Sequence, residues 1–361
     1  MTSKKICDHC FMSIALSLAK NGSPSPNPYV GAVIVKNGKI IGKGFHEKSG
    51  SPHAEINAIN SVKNKKEIKN STLYTTLEPC SHFGKTPPCT DAILKSGIKR
   101  VVFASRDPTK KVCGEEILKK SGIKITSGIL EKKSKKLNEV FYYFSEKKSP
   151  FIALKAASSK NSKIGIYGKK TKITGRKAVF FSHILRSKYD SILVGINTIL
   201  SDDPLLTTRI KNKKSPIKII LDSKLIIPLS ANVLKDKNTI IATTSSASRN
   251  KKNILQKSGI RVVVSGRKKI NLKKLLGILA KSTITSILVE GGTKVHTSFL
   301  KSKSVNKIYL FKSKTILNGE TIPLFEKKYL SDFMLKEKRP LGKDSLNIFE
   351  RKNKKIAPTI I

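Results

Sequence analysis

The segment T-L-E-P-C-S-H-F-G-K-T-P-P-C-T, residues 76–90, carries groups that can bind a metal ion. It contains Cys80 and Cys89, and the upstream H-A-E places His53 two residues before Glu55. Zinc binds histidine nitrogen and cysteine thiolate, and a catalytic zinc has three protein ligands and one open position. His53, Cys80 and Cys89 supply three ligands and leave Glu55 free. The sequence therefore predicts a catalytic zinc site in which Glu55 carries protons.

The order of these residues is close to the H-x-E followed by P-C-x-x-C that is typical of zinc base deaminases. H-A-E and E-P-C match, whereas the second cysteine follows the first after nine residues rather than three. A zinc ion lowers the pKa of a bound water. Glu55 can then pass the water proton to a ring and to its leaving amine. We therefore expect hydrolytic deamination.

The remaining histidines and cysteines near these motifs have other expected roles. His82 lies between the two cysteines, and we favour a substrate contact or a surface position over metal ligation. The C-D-H-C at residues 7–10 is one helix start without a second ligand pair, so we expect no second zinc there. Cys113 has no nearby partner in its segment, which favours a structural role. Five unevenly spaced cysteines argue against a disulfide framework and predict a reducing, cytoplasmic setting.

The formal net charge of +48 is spread over the whole chain of 361 residues. Lysine runs such as K-N-K-K, K-K-S-K-K and R-K-N-K-K recur from end to end, whereas a nucleic-acid footprint is expected to be localised. We therefore predict no nucleic-acid partner, although a positive field would attract small phosphorylated substrates. No run of 18 apolar residues is present, so no membrane-spanning helix is expected.

Elements that could position these groups alternate between helices and strands. Helical spacing over 8–20 precedes a proline-rich break, and V-G-A-V-I-V-K-N-G-K-I-I-G-K-G-F-H predicts a hairpin. Strands and helices then alternate to the polar S-E-K-K-S-P, where we place a boundary between domains 1–148 and 149–361. The second half repeats the rhythm, which implies an α/β fold with a largely parallel sheet covered on both faces.

The long segment E-P-C-S-H-F-G-K-T-P-P-C-T-D-A-I resembles the bifunctional riboflavin-biosynthesis deaminase/reductase family. The resemblance extends through P-N-P-Y-V-G-A-V-I-V to V-G-I-N-T-I-L-S-D-D-P-L-L-T-T-R and L-V-E-G-G, and so covers nearly the whole chain. It implies a cytidine-deaminase-like three-layer domain followed by a dihydrofolate-reductase-like α/β domain. It also implies zinc-dependent deamination of a phosphoribosylamino-diaminopyrimidinone, then NADPH reduction of its ribosyl to a ribityl chain. A homo-oligomer acting on this small phosphorylated pyrimidine is expected.

The resemblance also implies roles for individual residues. His53, Cys80 and Cys89 correspond to zinc ligands and Glu55 to the proton shuttle, and Lys155 opens the reductase strand. The implied substrate contacts are Asn27, His46, Arg186, Leu206, Arg209 and Glu290. The implied cofactor contacts are Ala157, Lys172, Thr198, Asp202, Ser223 and Gly292, the last in a Gly-Gly turn between a strand and a helix, where backbone amides can cradle a phosphate.

Two departures from the family pattern lie in the second half. The family pattern S-L-D-G-[KR] is replaced by S-K-N-S-K at residues 159–163, and S-x-W-I-T is replaced by T-K-I-T, which puts Lys172 where an aromatic residue flanks the nicotinamide. One alternative is therefore a deaminase with an impaired reductase half. A nucleic-acid base deaminase and a non-catalytic protein with structural zinc are further alternatives, and Glu55 argues against the latter because a structural site has a fourth ligand.

Overall fold

The computed structural model describes residues 7–84, 86–109, 112–169 and 171–352. The chain divides into two compact units, Met1–Lys148 and Ser149–Ile361. Within the described ranges, no helix is both long and apolar enough to cross a membrane.

A five-stranded sheet in the order β2-β1-β3-β4-β5 forms the centre of the first unit. β1 is antiparallel to both β2 and β3, whereas β3, β4 and β5 are parallel. The predicted hairpin is present, with Asn37 and Gly38 at positive φ in its turn. The strands are β1 Gly31–Lys36, β2 Lys39–Phe45, β3 Thr72–Thr75, β4 Arg100–Phe103 and β5 Lys124–Ser127.

Helices cover both faces of this sheet, which gives three layers. Ala32 and Ile34 of β1 pack on one side with α2, α3 and α4, while Val33 and Val35 pack on the other side with α1. This division follows from the alternation of side chains along a strand. The helices are α1 Asp8–Ala19, α2 Ala54–Asn60, α3 Cys89–Lys95, α4 Gly114–Lys120, α5 Glu131–Leu137 and α6 Glu139–Lys147, with a 3-10 turn at Lys65–Ile68.

The second unit contains a nine-stranded sheet in the order β11-β10-β9-β8-β12-β6-β13-β16-β15. All neighbours from β11 to β13 are parallel, and β16 and β15 extend the sheet antiparallel. A separate antiparallel pair joins β7 and β14. The strands are β6 Phe151–Ser158, β7 Lys163–Ile166, β8 Ser191–Gly195, β9 Ile217–Leu221, β10 Thr239–Thr243, β11 Arg261–Val264, β12 Ser286–Val289, β13 Val305–Lys312, β14 Thr321–Pro323, β15 Phe333–Leu341 and β16 Asp344–Arg351.

Buried side chains on both faces of the large sheet confirm the predicted two-sided cover. Leu193 belongs to the core that α10 and α11 complete, whereas its neighbours Ile192 and Val194 belong to the core that includes α8 and α9. Asn271 caps α10 by accepting a hydrogen bond from the Lys274 amide at 2.9 Å. The helices are α7 Arg176–Lys188, α8 Ile196–Asp202, α9 Arg249–Lys257, α10 Leu272–Lys281 and α11 Thr293–Lys301, with 3-10 turns at Asn232–Leu234 and Lys327–Asp332.

The glycine at position 44 sets how closely α2, the helix that follows His53, can approach β2. A Cβ atom on Gly44 would lie 2.3 Å from the Ala54 carbonyl oxygen and 2.3 Å from the Ala58 amide nitrogen. Both are backbone atoms, so the helix as a whole must move to make room. We expect Gly44→Ala to lower the free energy of unfolding by about 1–3 kcal/mol and to reduce zinc retention, as measured by denaturant unfolding and metal analysis.

Gly277→Ala is the matched control for this prediction. Gly277 lies inside α10, and a Cβ there meets nothing within 4 Å. The control should raise stability by up to about 1 kcal/mol, since alanine favours a helix over glycine. An unchanged unfolding midpoint for Gly44→Ala would mean that α2 does not pack this closely on β2.

Candidate active sites

Three potential metal ligands meet in the first unit, at the ends of separate elements. His53 is the N-cap of α2, and Cys89 is the first residue of α3. Cys80 lies in the loop that follows β3. The ligand atoms of these three residues all lie within 4.8 Å of one another. The fold thus brings together the three residues that the sequence singles out.

The donor set and its spacing fit a zinc ion. His53 Nδ1 lies 3.3 Å from Cys89 Sγ and 3.4 Å from Cys80 Sγ. Tetrahedral zinc with its usual bond lengths separates such a nitrogen and sulfur by about 3.6 Å. Hydrogen bonds from Cys89 and His53 lower the pKa of Cys80 to about 4, so one thiolate is already favoured. A site of this composition and spacing can therefore hold a zinc ion.

Glu55 lies beside these ligands in the first turn of α2. Its side chain is buried, with 3% exposure, and burial raises the pKa of its carboxyl. Thr75 Oγ1 donates to Oε1 at 3.2 Å, and Cys89 Sγ lies 3.6 Å from Oε2. One oxygen is therefore fixed by β3, and the other faces the ligand group.

Asn27 and His46, the implied substrate contacts of the first unit, adjoin the metal ligands. His46 Nδ1 lies 3.1 Å from the Pro52 carbonyl oxygen, which can only accept, so Nδ1 is the donor in that pair. His46 Nε2 is then free to accept from Asn27 Nδ2 at 3.0 Å. Burial lowers the pKa of His46, which favours this neutral form. The His46 ring meets the His53 ring edge to face at 5.2 Å, so the pair lines the approach to the ligand group.

A cleft of about 570 Å³ in the first unit contains a residue that the sequence reasoning missed. Asp107, which follows β4, lines this cleft, and burial raises the pKa of its carboxyl. Its carboxyl also interacts electrostatically with His82 and Cys80. The available signal was a carboxylate directly before a proline just beyond a buried strand.

His82 and Cys113 both lie at the surface of the first unit. His82 is exposed, which is one of the two roles that we favoured. Cys113 is also exposed, and its expected structural role stays a prediction. Its amide donates to Ser81 Oγ at 2.9 Å, and its sulfur lies 3.4 Å from that oxygen.

In the second unit, several of the residues implied to bind substrate and cofactor lie near one edge of the sheet. β9, β8, β12 and β6 are adjacent and parallel, so their carboxyl ends share an edge, where open α/β sheets bind ligands. Ala157 lies near the end of β6, Thr198 in α8 after β8, and Ser223 after β9. Glu290 and Gly292 follow β12, and Gly292 is the N-cap of α11.

The ends of two helices make this edge suitable for a phosphorylated cofactor. α8 and α11 both begin at glycine N-caps: Gly195 is the last residue of β8, and Gly292 lies three residues beyond the end of the neighbouring strand β12. A Cβ on Gly292 would meet nothing within 4 Å, so its backbone faces open space. Free amides at helix N-termini bind phosphate. The residues present therefore fit a dinucleotide such as NADPH.

The Glu290 side chain is 7% exposed and is held by two cations. Arg186 of α7 forms a bidentate pair with it, at 2.9 Å for both Nε to Oε1 and Nη2 to Oε2, and Lys155 Nζ lies 3.5 Å from Oε2. Burial alone would raise the pKa of Glu290, but Lys155 and Arg186 lower it to about 2. The carboxylate is therefore ionised at every pH of interest.

The loop after α8 carries the remaining implied contacts. Arg186 Nη1 donates to the Thr207 carbonyl oxygen at 3.2 Å, which ties this loop to α7. Leu206 is buried in the core, so any substrate contact at this position would use its main chain. Asp202, the last residue of α8, and Arg209 are both exposed.

The turn at residues 159–163 keeps a defined shape despite its departure from the family pattern. Asn161 Nδ2 donates to the Leu317 carbonyl oxygen at 2.8 Å, and the Leu317 amide donates to Asn161 Oδ1 at 3.2 Å. Ser162 adopts φ 59°, a conformation that the family's glycine reaches without strain. Lys172 is exposed.

Comparison with known proteins matches both units. Residues 150–346 match the family described as RibD C-terminal domain, and residues 5–105 match the cytidine and deoxycytidylate deaminase zinc-binding region. The riboflavin biosynthesis protein RibD of Aquifex aeolicus (strain VF5) is 42% identical, and the match spans 88% of this chain and 89% of that protein. For RibD of Buchnera aphidicola subsp. Baizongia pistaciae the identity is 38%, over 96% and 99% of the two chains.

Solved structures agree with these matches over the same length. A diaminohydroxyphosphoribosylaminopyrimidine deaminase/5-amino-6-(5-phosphoribosylamino)uracil reductase from Thermotoga maritima is 36% identical, with a TM-score of 0.85 over 96% of this chain and 99% of that chain. A structure of RibD from Acinetobacter baumannii is 31% identical with a TM-score of 0.87 and the same coverage. These findings confirm the resemblance and the predicted fold class. The chain belongs to the RibD family of riboflavin-biosynthesis deaminase/reductases.

Proposed function

We propose that this chain catalyses two successive steps of riboflavin biosynthesis. The first unit removes ammonia from a phosphoribosylamino-diaminopyrimidinone, and the second unit reduces the ribosyl group of the product to a ribityl chain with NADPH. The observation that carries the proposal is the grouping of His53, Cys80 and Cys89 around a metal-sized space, with Glu55 beside them and outside the ligand set.

In the deaminase unit, each side chain has a separate task. His53, Cys80 and Cys89 would hold zinc, which when bound polarises a water molecule for attack on the ring. Glu55 accepts a proton from this water and returns it to the ring and the leaving amine. Thr75 fixes the orientation of Glu55 through its bond to Oε1. Asn27, held by His46, offers its amide oxygen to the pyrimidine.

In the reductase unit, charge positions the substrate. NADPH, when bound along the carboxyl edge of the sheet, supplies a hydride. Glu290 is kept ionised by Lys155 and Arg186 and can accept hydrogen bonds from sugar hydroxyls. Arg209 is exposed and can pair with the substrate phosphate through its planar fork. Ala157, Thr198, Asp202, Ser223 and Gly292 are proposed to contact the cofactor.

A deaminase with a weakened reductase is the second candidate, and Lys172 is the observation that favours it. A lysine cannot stack on nicotinamide as an aromatic residue does, although its ammonium can meet a phosphate. A nucleic-acid base deaminase is disfavoured by the second unit, which matches a reductase-family domain. Supplying the phosphorylated diaminopyrimidinone with NADPH, while ammonia release and NADPH oxidation are followed separately, tests both activities. Homo-oligomerisation and a cytoplasmic location stay predictions.

Removing both cysteine ligands should abolish zinc binding. In Cys80→Ser/Cys89→Ser, His53 alone remains of the proposed ligand set, and we expect metal analysis to find zinc content near zero. Cys113→Ser is the matched control, because that thiol is exposed and lies outside the group of three ligands. Full zinc occupancy in the double variant would show that the ligands lie elsewhere.

Removing the proton carrier should separate zinc binding from turnover. We expect Glu55→Gln to keep one zinc per chain and to lose ammonia release by at least about 100-fold, the range that general acid–base catalysis contributes. Glu67→Gln makes the same charge change at an exposed position and should remain active. Near-normal turnover in Glu55→Gln would require a different proton carrier.

Restoring an aromatic residue at position 172 should strengthen cofactor binding. We expect Lys172→Trp to lower the Kd for NADPH, measured by fluorescence titration, because the indole can stack on the nicotinamide. Lys257→Trp, at an exposed site in α9, is the control for a nonspecific effect of tryptophan. If wild-type chain with active deaminase oxidises no NADPH at saturating cofactor, the second candidate function is the correct one.

A further inference from the structure

Two exposed thiols meet at the start of α1. Cys7 is the N-cap of this helix, and Cys10 is in its first turn. Both side chains are exposed, and the two sulfur atoms lie 3.5 Å apart. A disulfide forms when two such sulfurs close to about 2.05 Å. The two thiols are therefore placed near each other for bond formation.

The backbone that carries these thiols is fixed by Asp8, one of the two residues between them. Asp8 forms a bidentate pair with Arg100 of β4, at 3.0 Å and 2.6 Å, and accepts a hydrogen bond from Tyr74 of β3 at 2.7 Å. Phe11 is buried and packs on Tyr74 with ring centroids 5.1 Å apart. The first turn is thus attached to two central strands while Cys7 and Cys10 face solvent.

The local electrostatics differ for the two sulfurs. The Cys10 amide and the Cys10 thiol donate toward Cys7, and both lower the pKa of Cys7. Thiols with a C-x-x-C spacing at a helix N-terminus are more reactive for this reason. Cys7 is therefore the attacking thiol, and Cys10, in contact with it, is the resolving thiol.

We infer that Cys7 and Cys10 form a redox-active dithiol that a low-molecular-weight disulfide converts to an intramolecular disulfide. The Cys7 thiolate attacks one sulfur of the oxidant, whose S–S bond breaks, giving a mixed disulfide and one thiolate. Cys10 then attacks the Cys7 sulfur, forms the Cys7–Cys10 bond and releases the second thiolate. The two protons of the cysteines pass to the two released thiols. The corresponding thiol reverses both steps.

This site is separate from the deaminase chemistry. His53, Cys80 and Cys89 form their own group, in which Cys89 is buried, and none of the three contacts Cys7 or Cys10 in the hydrogen bonds of the described chain. Cys113 is exposed too, but its described sulfur contact is with Ser81 rather than with a second thiol. Oxidised glutathione should therefore leave Cys113 as a mixed disulfide and should close only Cys7–Cys10.

The experiment uses the full-length, zinc-loaded protein in buffers of increasing oxidised-to-reduced glutathione ratio. After alkylation of free thiols, trypsin cleavage at Lys5 and Lys20 releases residues 6–20, which contain both cysteines in one peptide. Mass spectrometry should show this peptide without alkyl groups and lighter by two hydrogen atoms than its sequence mass with two free thiols. The dithiol form would instead carry two alkyl groups. Reduced glutathione should restore the dithiol, and zinc content should not change.

Single variants distinguish the two roles. Cys10→Ser should accumulate the mixed disulfide at Cys7, because no resolving thiol remains, and Cys7→Ser should lose the intramolecular disulfide and react more slowly at Cys10. Cys113→Ser should behave as wild type in peptide 6–20. The inference is overturned if this peptide stays a dithiol at every ratio, or stops at the mixed disulfide in the wild type. It is also overturned if the pair proves to bind a second zinc that blocks alkylation.

Discussion

The deaminase site depends on the meeting of two helix N-termini beyond the end of β3. His53 precedes α2, Cys89 begins α3, and Cys80 lies in the loop that leaves the strand, so the ligand atoms come together only if both helices pack on the same face of the sheet. The alternating side chains of β1 and the glycine at position 44 permit that packing. A metal site of three ligands is in this sense a consequence of the layer arrangement, and the metal would in turn hold the layers together.

The second unit keeps a charged carboxylate, whose side chain is 7% exposed, at the carboxyl edge of its large sheet. Burial raises the pKa of Glu290, and the neighbouring Lys155 and Arg186 lower it to about 2, so the two cations keep this carboxylate ionised. Arg186 pairs with Glu290 and also donates to the Thr207 carbonyl oxygen. The same side chain therefore stabilises the ionised carboxylate and holds the loop that carries Leu206 and Arg209. Loss of Arg186 would therefore disturb both the carboxylate and the loop.

Local patterns in the sequence were sufficient to predict the continuous apolar strands and to single out the three potential metal ligands that meet in the first unit. H-A-E and E-P-C contain the residue types that bind zinc and carry protons. Apolar runs such as S-I-L-V favour buried strands. β15 was not predicted, because it is an edge strand with mostly exposed side chains and contains Pro340. The contact between Arg186 and Glu290 joins residues 104 positions apart, and Asp107 reaches its cleft only through the sheet. The periodicity of a short sequence window cannot predict contacts between residues so far apart in the chain.

The departures from the family pattern show which constraint acts at each position. At residues 159–163 the constraint is backbone shape: Asn161 provides hydrogen bonds to Leu317, and Ser162 tolerates a positive φ at a modest cost, so the turn survives the change of sequence. At position 172 the resemblance implies that an aromatic ring flanks the nicotinamide, and a lysine offers no stacking face of that kind. A turn can therefore be rebuilt from other residues, whereas a stacking surface is lost with its side chain, and any loss in the reductase half should fall on cofactor affinity rather than on folding.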